Sequence, residues 1–408
     1  MFYQRIRPHE PSQKNGAGDR DRDIGLDKAS RDVIARLVGF DTVSRRSNMA
    51  LIDWVRDYLA GHGVEGRIVP NADGSKANLF ATIGPMAEGG VVLSGHTDVV
   101  PVDGQAWDTD PFTLVERDGR LYGRGTADMK SFSAIALALV PEMLAAGLKR
   151  PVHLALSYDE EIGCLGAPAM IRRIAAELPR PGAVIVGEPT SMRVVVAHKG
   201  CYVLRTTVTG HEVHSAHMDR GVSAVMTAAR LVNFIADMGV QAAAGADPSS
   251  PFDPPCTTMN VGIIQGGTAQ NITARHCEFM WDIRPVPGDD WKGYHDRFQE
   301  FSDRLRAEMR RVSPACDIHT DVLAGAPGLA PEPAGAAAQL CHALTGRNDT
   351  GVVSYGAEAG QFQEAGLSTV MCGPGSIDQA HQPNEYIDIA QVTACERFLR
   401  DLTRRLAA

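Results

Sequence analysis

Long apolar runs, surplus positive charge and paired cysteines are all missing from this sequence, and each absence excludes a class of function. No apolar stretch approaches the roughly 18 residues that span a bilayer. The opening MFYQRIRPHEPSQKNGAGDRDRD lacks the apolar centre of a secretory leader, so a cytoplasmic protein without a membrane partner is expected. Lys and Arg number 40 against 49 Asp and Glu, a formal net charge of -9, and no basic stripe compensates. That excludes a nucleic-acid partner, because phosphate contacts need clustered Lys and Arg. Cys164, Cys201, Cys256, Cys277, Cys316, Cys341, Cys372 and Cys395 are scattered without a Cys-x-x-Cys pair. Neither a disulfide framework nor a thiolate zinc site is signalled, and most of these thiols read as small core residues.

What is present is an ordinary globular composition, 44% hydrophobic and 22% charged, able to bury a sizeable core. At about 100 to 200 residues per domain, 408 residues predict two domains. Residues 1–25 are polar and charged and read as a loosely held arm. Helical spacing follows over 28–40 and 50–62, then β-rich runs at 77–83 and 91–94, a helix over 130–146, strands at 152–157 and 183–187, and a helix over 167–177 between them. Strands alternating with helices predict an α/β fold, a mainly parallel mixed sheet flanked by helices. From Gly200 the pattern changes. Period-two alternation at 202–209, a helix over 222–238, strands at 257–264 and 276–283, a helix over 291–311 and a strand at 317–323 predict an inserted α+β domain within 199–324. The catalytic domain is accordingly expected from 26–198 and 325–408.

Functional side chains on such a sheet gather where strands end, so polar residues just after apolar runs are the first candidates. Five places qualify: His96 with Asp98, Asp128 in Gly-Arg-Gly-Thr-Ala-Asp-Met-Lys, Glu160 with Glu161, Glu188 before Pro-Thr, and His381. Each has a plain structural reading. His96 is a strand-end histidine, Asp128 a helix cap, Glu160-Glu161 an acidic turn, Glu188 a turn residue and His381 a loop residue. Each also has a chemical one. In His96-Thr97-Asp98 the outer side chains point to one side of an extended segment, so the carboxylate can orient an imidazole that binds metal. Neighbouring Glu160 and Glu161 point to different sides, one free to bind metal and the other to face water. Together the five places offer two imidazoles and three carboxylates with a spare glutamate, a set suited to two zinc ions sharing a carboxylate, with the spare as base.

The stretches Ser-Gly-His96-Thr-Asp98-Val-Val-Pro, Gly-Arg-Gly-Thr-Ala-Asp128-Met-Lys, Asp159-Glu160-Glu161-Ile-Gly, Gly187-Glu188-Pro-Thr and Gly210-His-Glu-Val-His214-Ser occur in this order. From about residue 28 onward the chain thereby resembles the dinuclear zinc aminoacylase family, which includes acetylornithine deacetylases, succinyl-diaminopimelate desuccinylases and glutamate carboxypeptidases. The resemblance implies one zinc on His96 and Glu188, a second on Glu161 and His381, and Asp128 bridging them, with Co2+ a possible substitute. It implies that Asp98 orients His96 and that Glu160 is the general base, moving a proton from water to the leaving amine. The inserted domain would be a lid and dimerisation domain whose His214 reaches the substrate carbonyl of a partner chain, with His211 and His217 facing solvent. Asn271 and Arg284 occupy positions that hold the tetrahedral oxygen or a substrate carboxylate, and Lys199 is a further binding candidate.

Ser354-Tyr-Gly-Ala-Glu358-Ala-Gly-Gln-Phe and Met371-Cys-Gly-Pro-Gly-Ser-Ile-Asp-Gln-Ala-His381 look most like the acetylornithine deacetylase branch, with Ala357 where that branch usually has Thr. On this likeness Glu358 would face the distal amino group of a small N-acyl amino acid. A related aminoacylase or dipeptidase, and a non-catalytic metal or amino-acid binding protein on the same fold, are the competing expectations.

Overall fold

The computed structural model describes residues 4–5 and 26–408 and divides them into two compact units. The larger comprises the chain up to Ala197 together with Leu329–Val352 and Ala357–Ala408. Apart from Gln4–Arg5, which pair with Gly351 and Val352, the expected polar arm lies outside the described residues.

A nine-stranded sheet organises this unit, in the order Gln4–Arg5, Thr350–Val353, Val194–His198, Thr369–Gly373, Ala183–Pro189, Val91–His96, Val152–Ser157, Ala77–Ile83 and Gly66–Pro70. Its centre is parallel: Val91–His96 runs between Ala183–Pro189 and Val152–Ser157, and Thr369–Gly373 continues alongside Ala183–Pro189. Ala77–Ile83 and Gly66–Pro70 extend it antiparallel. Parallel strands must be covered on both faces, and every residue of the three central strands is buried. Alternation then assigns the faces. Val91, Leu93, Val152, Leu154, Leu156, Ala183 and Ile185 join one core with helices Lys28–Val38, Lys130–Ala138 and Ile389–Ala407. The helix Ala167–Glu177 packs on Ala77–Ile83 and Val152–Ser157, with Met170, Ile171 and Ile174 buried.

One helix was expected over 130–146; two form, Lys130–Ala138 and Val140–Ala145. Pro141 has no N–H to donate to the preceding turn, so the first helix ends and a second begins with proline in its opening turn.

His153 lies wholly buried in the sheet, one ring nitrogen 3.0 Å from Thr82 Oγ1. Burial pushes its pKa down to about 4, so the folded chain holds it neutral while the unfolded chain protonates near 6.5. The stability it permits is therefore complete above pH 6.5 and lost as pH falls toward 4, reaching about 2 kcal/mol at pH 5. Urea unfolding at pH 7 and pH 5 should show His153→Gln losing less stability than the parent by about that amount. Equal losses would refute the assignment.

The second unit, His198–Gly328 with Val353–Gly356, holds a four-stranded antiparallel sheet in the order Thr258–Gly266, His276–Arg284, Cys201–Thr209 and Asp317–Ala326. Cys277, Phe279, Trp281 and Ile283 alternate inward to meet Leu231, Ile235, Phe298 and Leu305 of the helices Ala224–Ala244 and Trp291–Val312. Trp281 keeps its polar atom satisfied, Nε1–H donating to Thr206 Oγ1 at 3.1 Å. Ser223 caps the first helix by accepting from Met226 N–H.

Candidate metal centre

Five side chains converge beyond the carboxyl ends of the central strands. His96 closes the strand Val91–His96, Glu188 lies near the end of Ala183–Pro189, and Glu161 follows Val152–Ser157 after a short turn. Asp128 precedes the helix Lys130–Ala138, and His381 follows the 3-10 turn Ile377–Gln379. His381 adopts a left-handed backbone, φ 63°, as does Asp159 at φ 55° on the turn before Glu160. Such conformations persist where surrounding contacts hold them, and both flank this cluster.

Asp128 is the centre of the arrangement. Its Oδ1 is 2.9 Å from His96 Nε2 and its Oδ2 is 3.2 Å from His381 Nε2, which also lies 3.0 Å from Glu161 Oε2. Two three-ligand groups result, His96 with Asp128 and Glu188, and Asp128 with Glu161 and His381. Among the described residues these are the groups that could hold a metal ion, and neither includes His211, His214 or His217. The donors, imidazole nitrogen and carboxylate oxygen, suit zinc-like dications. Glu161 and Glu188 each keep one buried carboxylate oxygen with no hydrogen-bond partner, which a cation would satisfy. Electrostatics agrees. Burial, reinforced by Asp128, pushes Glu161 up to about 7 and raises Glu188 far above its ordinary value. Burial opposes the charge of Asp128 too, but hydrogen bonds from His381 and His96 win and hold it low. A desolvated cluster this rich in carboxylates calls for compensating positive charge.

Glu160 stands beside the two groups and belongs to neither. Burial, against the pull of His96 and with repulsion from Glu161, Asp128 and Asp98, pushes its carboxyl above its ordinary value. Cys164 Sγ donates to its Oε1 at 3.3 Å.

Asp98 was expected to hold His96 through its carboxylate. His96 Nδ1 instead lies 2.9 Å from the backbone oxygen of Asp98, with Oδ1 at 3.7 Å, beyond hydrogen-bond reach. The carboxylate accepts from Glu160 N–H at 3.1 Å, Glu161 N–H at 3.3 Å and Ser44 Oγ at 2.7 Å. One residue thus fixes the imidazole by its main chain and the two glutamates by its side chain. Sequence spacing could not distinguish these, because both the carbonyl and the carboxylate are within range of the ring.

Two expected binding residues have their charged groups hydrogen-bonded within the protein. Glu358 is fully buried, its oxygens accepting from Ser94 Oγ and Ser157 Oγ at 2.6 Å each. It ties two central strands together beneath the ligands, and a substrate amine would have to displace a serine to meet it. Lys199, 1% exposed, donates to the carbonyl oxygens of Pro254 and Cys256 at 2.8 and 2.7 Å, clamping that loop. In the second unit His214 and Asn271 are exposed and Arg284 half-buried, paired with Asp282 at 3.1 Å.

The sequence profile of peptidase family M20/M25/M40 matches residues 92–405. An acetylornithine deacetylase of Myxococcus xanthus is 36% identical over 376 residues, 91% of this chain and 96% of that protein. One from Photorhabdus laumondii is 34% identical over 360 residues, 88% of this chain and 90% of its own. Among solved structures, an M20 family metallo-carboxypeptidase from Sulfolobus solfataricus has a TM-score of 0.72 at 16% identity, covering 94% of this chain and 100% of that one. A Bacillus subtilis protein described as a dinuclear metal binding peptidase of the M20 family has a TM-score of 0.58 at 14% identity, covering 92% and 97%. The profile match and the long curated relatives agree with the ligand geometry, and the chain belongs to peptidase family M20/M25/M40, as a metal-dependent hydrolase of amide bonds.

Proposed function

We propose that the substrate is an N-acyl amino acid, N2-acetyl-L-ornithine, cleaved to L-ornithine and acetate as a step toward arginine, and that two Zn2+ ions, replaceable by Co2+, serve the reaction. The observation that carries this reading is the placement of Asp128, one oxygen toward His96 and the other toward His381, with Glu160 adjacent but outside both ligand groups. His96, Glu188 and Asp128 would hold one ion, and Asp128, Glu161 and His381 the other. When bound, the ions would supply Lewis-acid polarisation of the scissile carbonyl and make water more acidic. Glu160 removes a proton from water as the oxygen adds to the amide carbon, then delivers that proton to the nitrogen as the C–N bond breaks. Acetate and a free amine leave. The substrate choice draws on the curated relatives, which are named for that activity.

His214 supports a role at the substrate carbonyl. Its Nδ1 accepts from Ala216 N–H at 3.1 Å, which leaves the proton of the neutral ring on Nε2 as a donor. Asn271 and Arg284 would complete recognition of an oxyanion or carboxylate. We assign the second unit to lid movement and homodimerisation: the edge strand Thr258–Gly266 exposes Ile263 and Ile264, and Met226 is 65% exposed on a neighbouring helix. A cytoplasmic setting is supported by cysteines scattered without a Cys-x-x-Cys pair. No described helix is long and apolar enough to cross a membrane.

Steady-state assays on acetylornithine, acetylcitrulline, acetylmethionine and succinyl-diaminopimelate test the proposal. Acetylornithine should give the highest kcat/KM, abolished by chelator and restored by Zn2+ or Co2+. Turnover of another substrate alone would replace the acyl-amino acid named here. Two bound ions without turnover of any would favour the non-catalytic reading.

A further inference from the structure

Glu385 had no role in the sequence reading, yet its side chain is buried in a network of hydrogen bonds from the loop that carries Asp128. It is 1% exposed and immediately precedes the strand Tyr386–Asp388, which pairs antiparallel with Arg120–Tyr122, the strand that leads into the loop bearing Asp128. Its carboxylate collects that loop. Oε1 accepts from Ala127 N–H at 2.8 Å and Asp128 N–H at 3.1 Å, while Oε2 accepts from Gly125 N–H at 3.1 Å and from Arg124 Nη1 at 2.7 Å. The Glu385 backbone oxygen accepts from Gly123 N–H at 3.0 Å.

The same network reaches His381. Arg124 Nη2 donates to Gln105 Oε1 at 2.6 Å, and Gln105 Nε2 donates to the His381 carbonyl oxygen at 3.0 Å. Arg124 Nη1 also reaches the Gln382 carbonyl oxygen at 3.3 Å. The two side chains of the buried pair, each 1% exposed, therefore contact both the main chain that carries Asp128 and the segment that carries His381.

We infer that Glu385 is a positioning residue, which through Arg124 and the 123–128 loop holds Asp128 and His381 in the single arrangement that two cations require. A charge-assisted acceptor facing three amides and a guanidinium fixes the loop strongly. An amide in its place turns a donor toward donors, so the loop loses its template. The inference rests on the two-cation reading above. It gives Glu385 no contact with substrate; its effect passes through the ligands.

The test is Zn2+ titration of the metal-free full chain against a chromophoric chelator, with thermal unfolding followed on the same samples. The parent arm comes first: failure to bind Zn2+ there would overturn the metal reading itself, before any variant is compared. Glu385→Gln should weaken Zn2+ binding by about 10- to 100-fold. Glu396→Gln, at another buried carboxylate of the same unit and next to Arg400, should leave Zn2+ affinity within about twofold of the parent, whatever it does to the unfolding temperature. Glu385→Asp, which keeps the charge but shortens the reach, should bind more tightly than Glu385→Gln. Parent-like affinity for two Zn2+ in Glu385→Gln would overturn the inference. So would failure of both Glu385 variants to fold, which would make the residue a support of the fold alone.

Discussion

Glu160→Gln is expected to lower kcat by about 10²- to 10⁴-fold and to leave the bound-metal content of the purified chain unchanged. The two halves of this expectation come from different observations. Glu160 lies in neither three-ligand group, so removing its charge deletes no ligand. Its backbone N–H, not its side chain, is what Asp98 holds, so glutamine leaves the turn in place. Volume is conserved as well, and Cys164 can still donate to the amide oxygen. What glutamine lacks is a site of suitable basicity for a proton in transit. A carboxylate accepts and releases a proton, and an amide has no equivalent at any accessible pH. Metal analysis and single-turnover rates on one preparation decide the matter. Turnover within tenfold of the parent would refute the base assignment, and a halved metal content would make Glu160 a ligand.

The candidate ligands stood out in the sequence because of how this sheet is buried. Val91–His96, Val152–Ser157 and Ala183–Pro189 are covered on both faces and so read as mainly apolar runs. A histidine or glutamate at the end of such a run announces a strand mouth, where ligands gather. Val194–His198 was missed although all five of its residues are buried and it is the same kind of short apolar run. The environments of Glu358 and Lys199 were illegible in the sequence. A carboxylate near the motifs can face a pocket or brace the strands beneath it, and Ser94, 264 positions away from Glu358, decides which. The same distance hid Glu385: its partners Gly125, Ala127 and Asp128 lie 257 to 260 positions away, and chain spacing carries no signal over that separation.

Gly373→Ala is expected to destabilise the larger unit by about 3 kcal/mol or more and to weaken metal binding at the proposed group of His96, Asp128 and Glu188. A Cβ at Gly373 would stand 2.0 Å from the Gly187 carbonyl oxygen and 2.7 Å from that of Glu188. These atoms are backbone in the middle of a buried sheet, so relief requires the strand Thr369–Gly373 to part from Ala183–Pro189. The register already shifts between Met371 and Gly373, which brings the Gly373 carbonyl over the turn after Glu188, where it accepts from Thr190 N–H at 3.2 Å and Met192 N–H at 2.8 Å. Displacing the strand therefore moves the turn, and the turn adjoins Glu188, the proposed ligand at the end of the neighbouring strand. Gly239→Ala is the matched control: a Cβ there meets nothing within 4 Å in the interior of the helix Ala224–Ala244, and relief of backbone entropy should stabilise by about 1 kcal/mol. Urea midpoints with metal analysis on both variants test this, and a folded Gly373→Ala chain with parent stability and full metal content would show that the two strands need no contact this close.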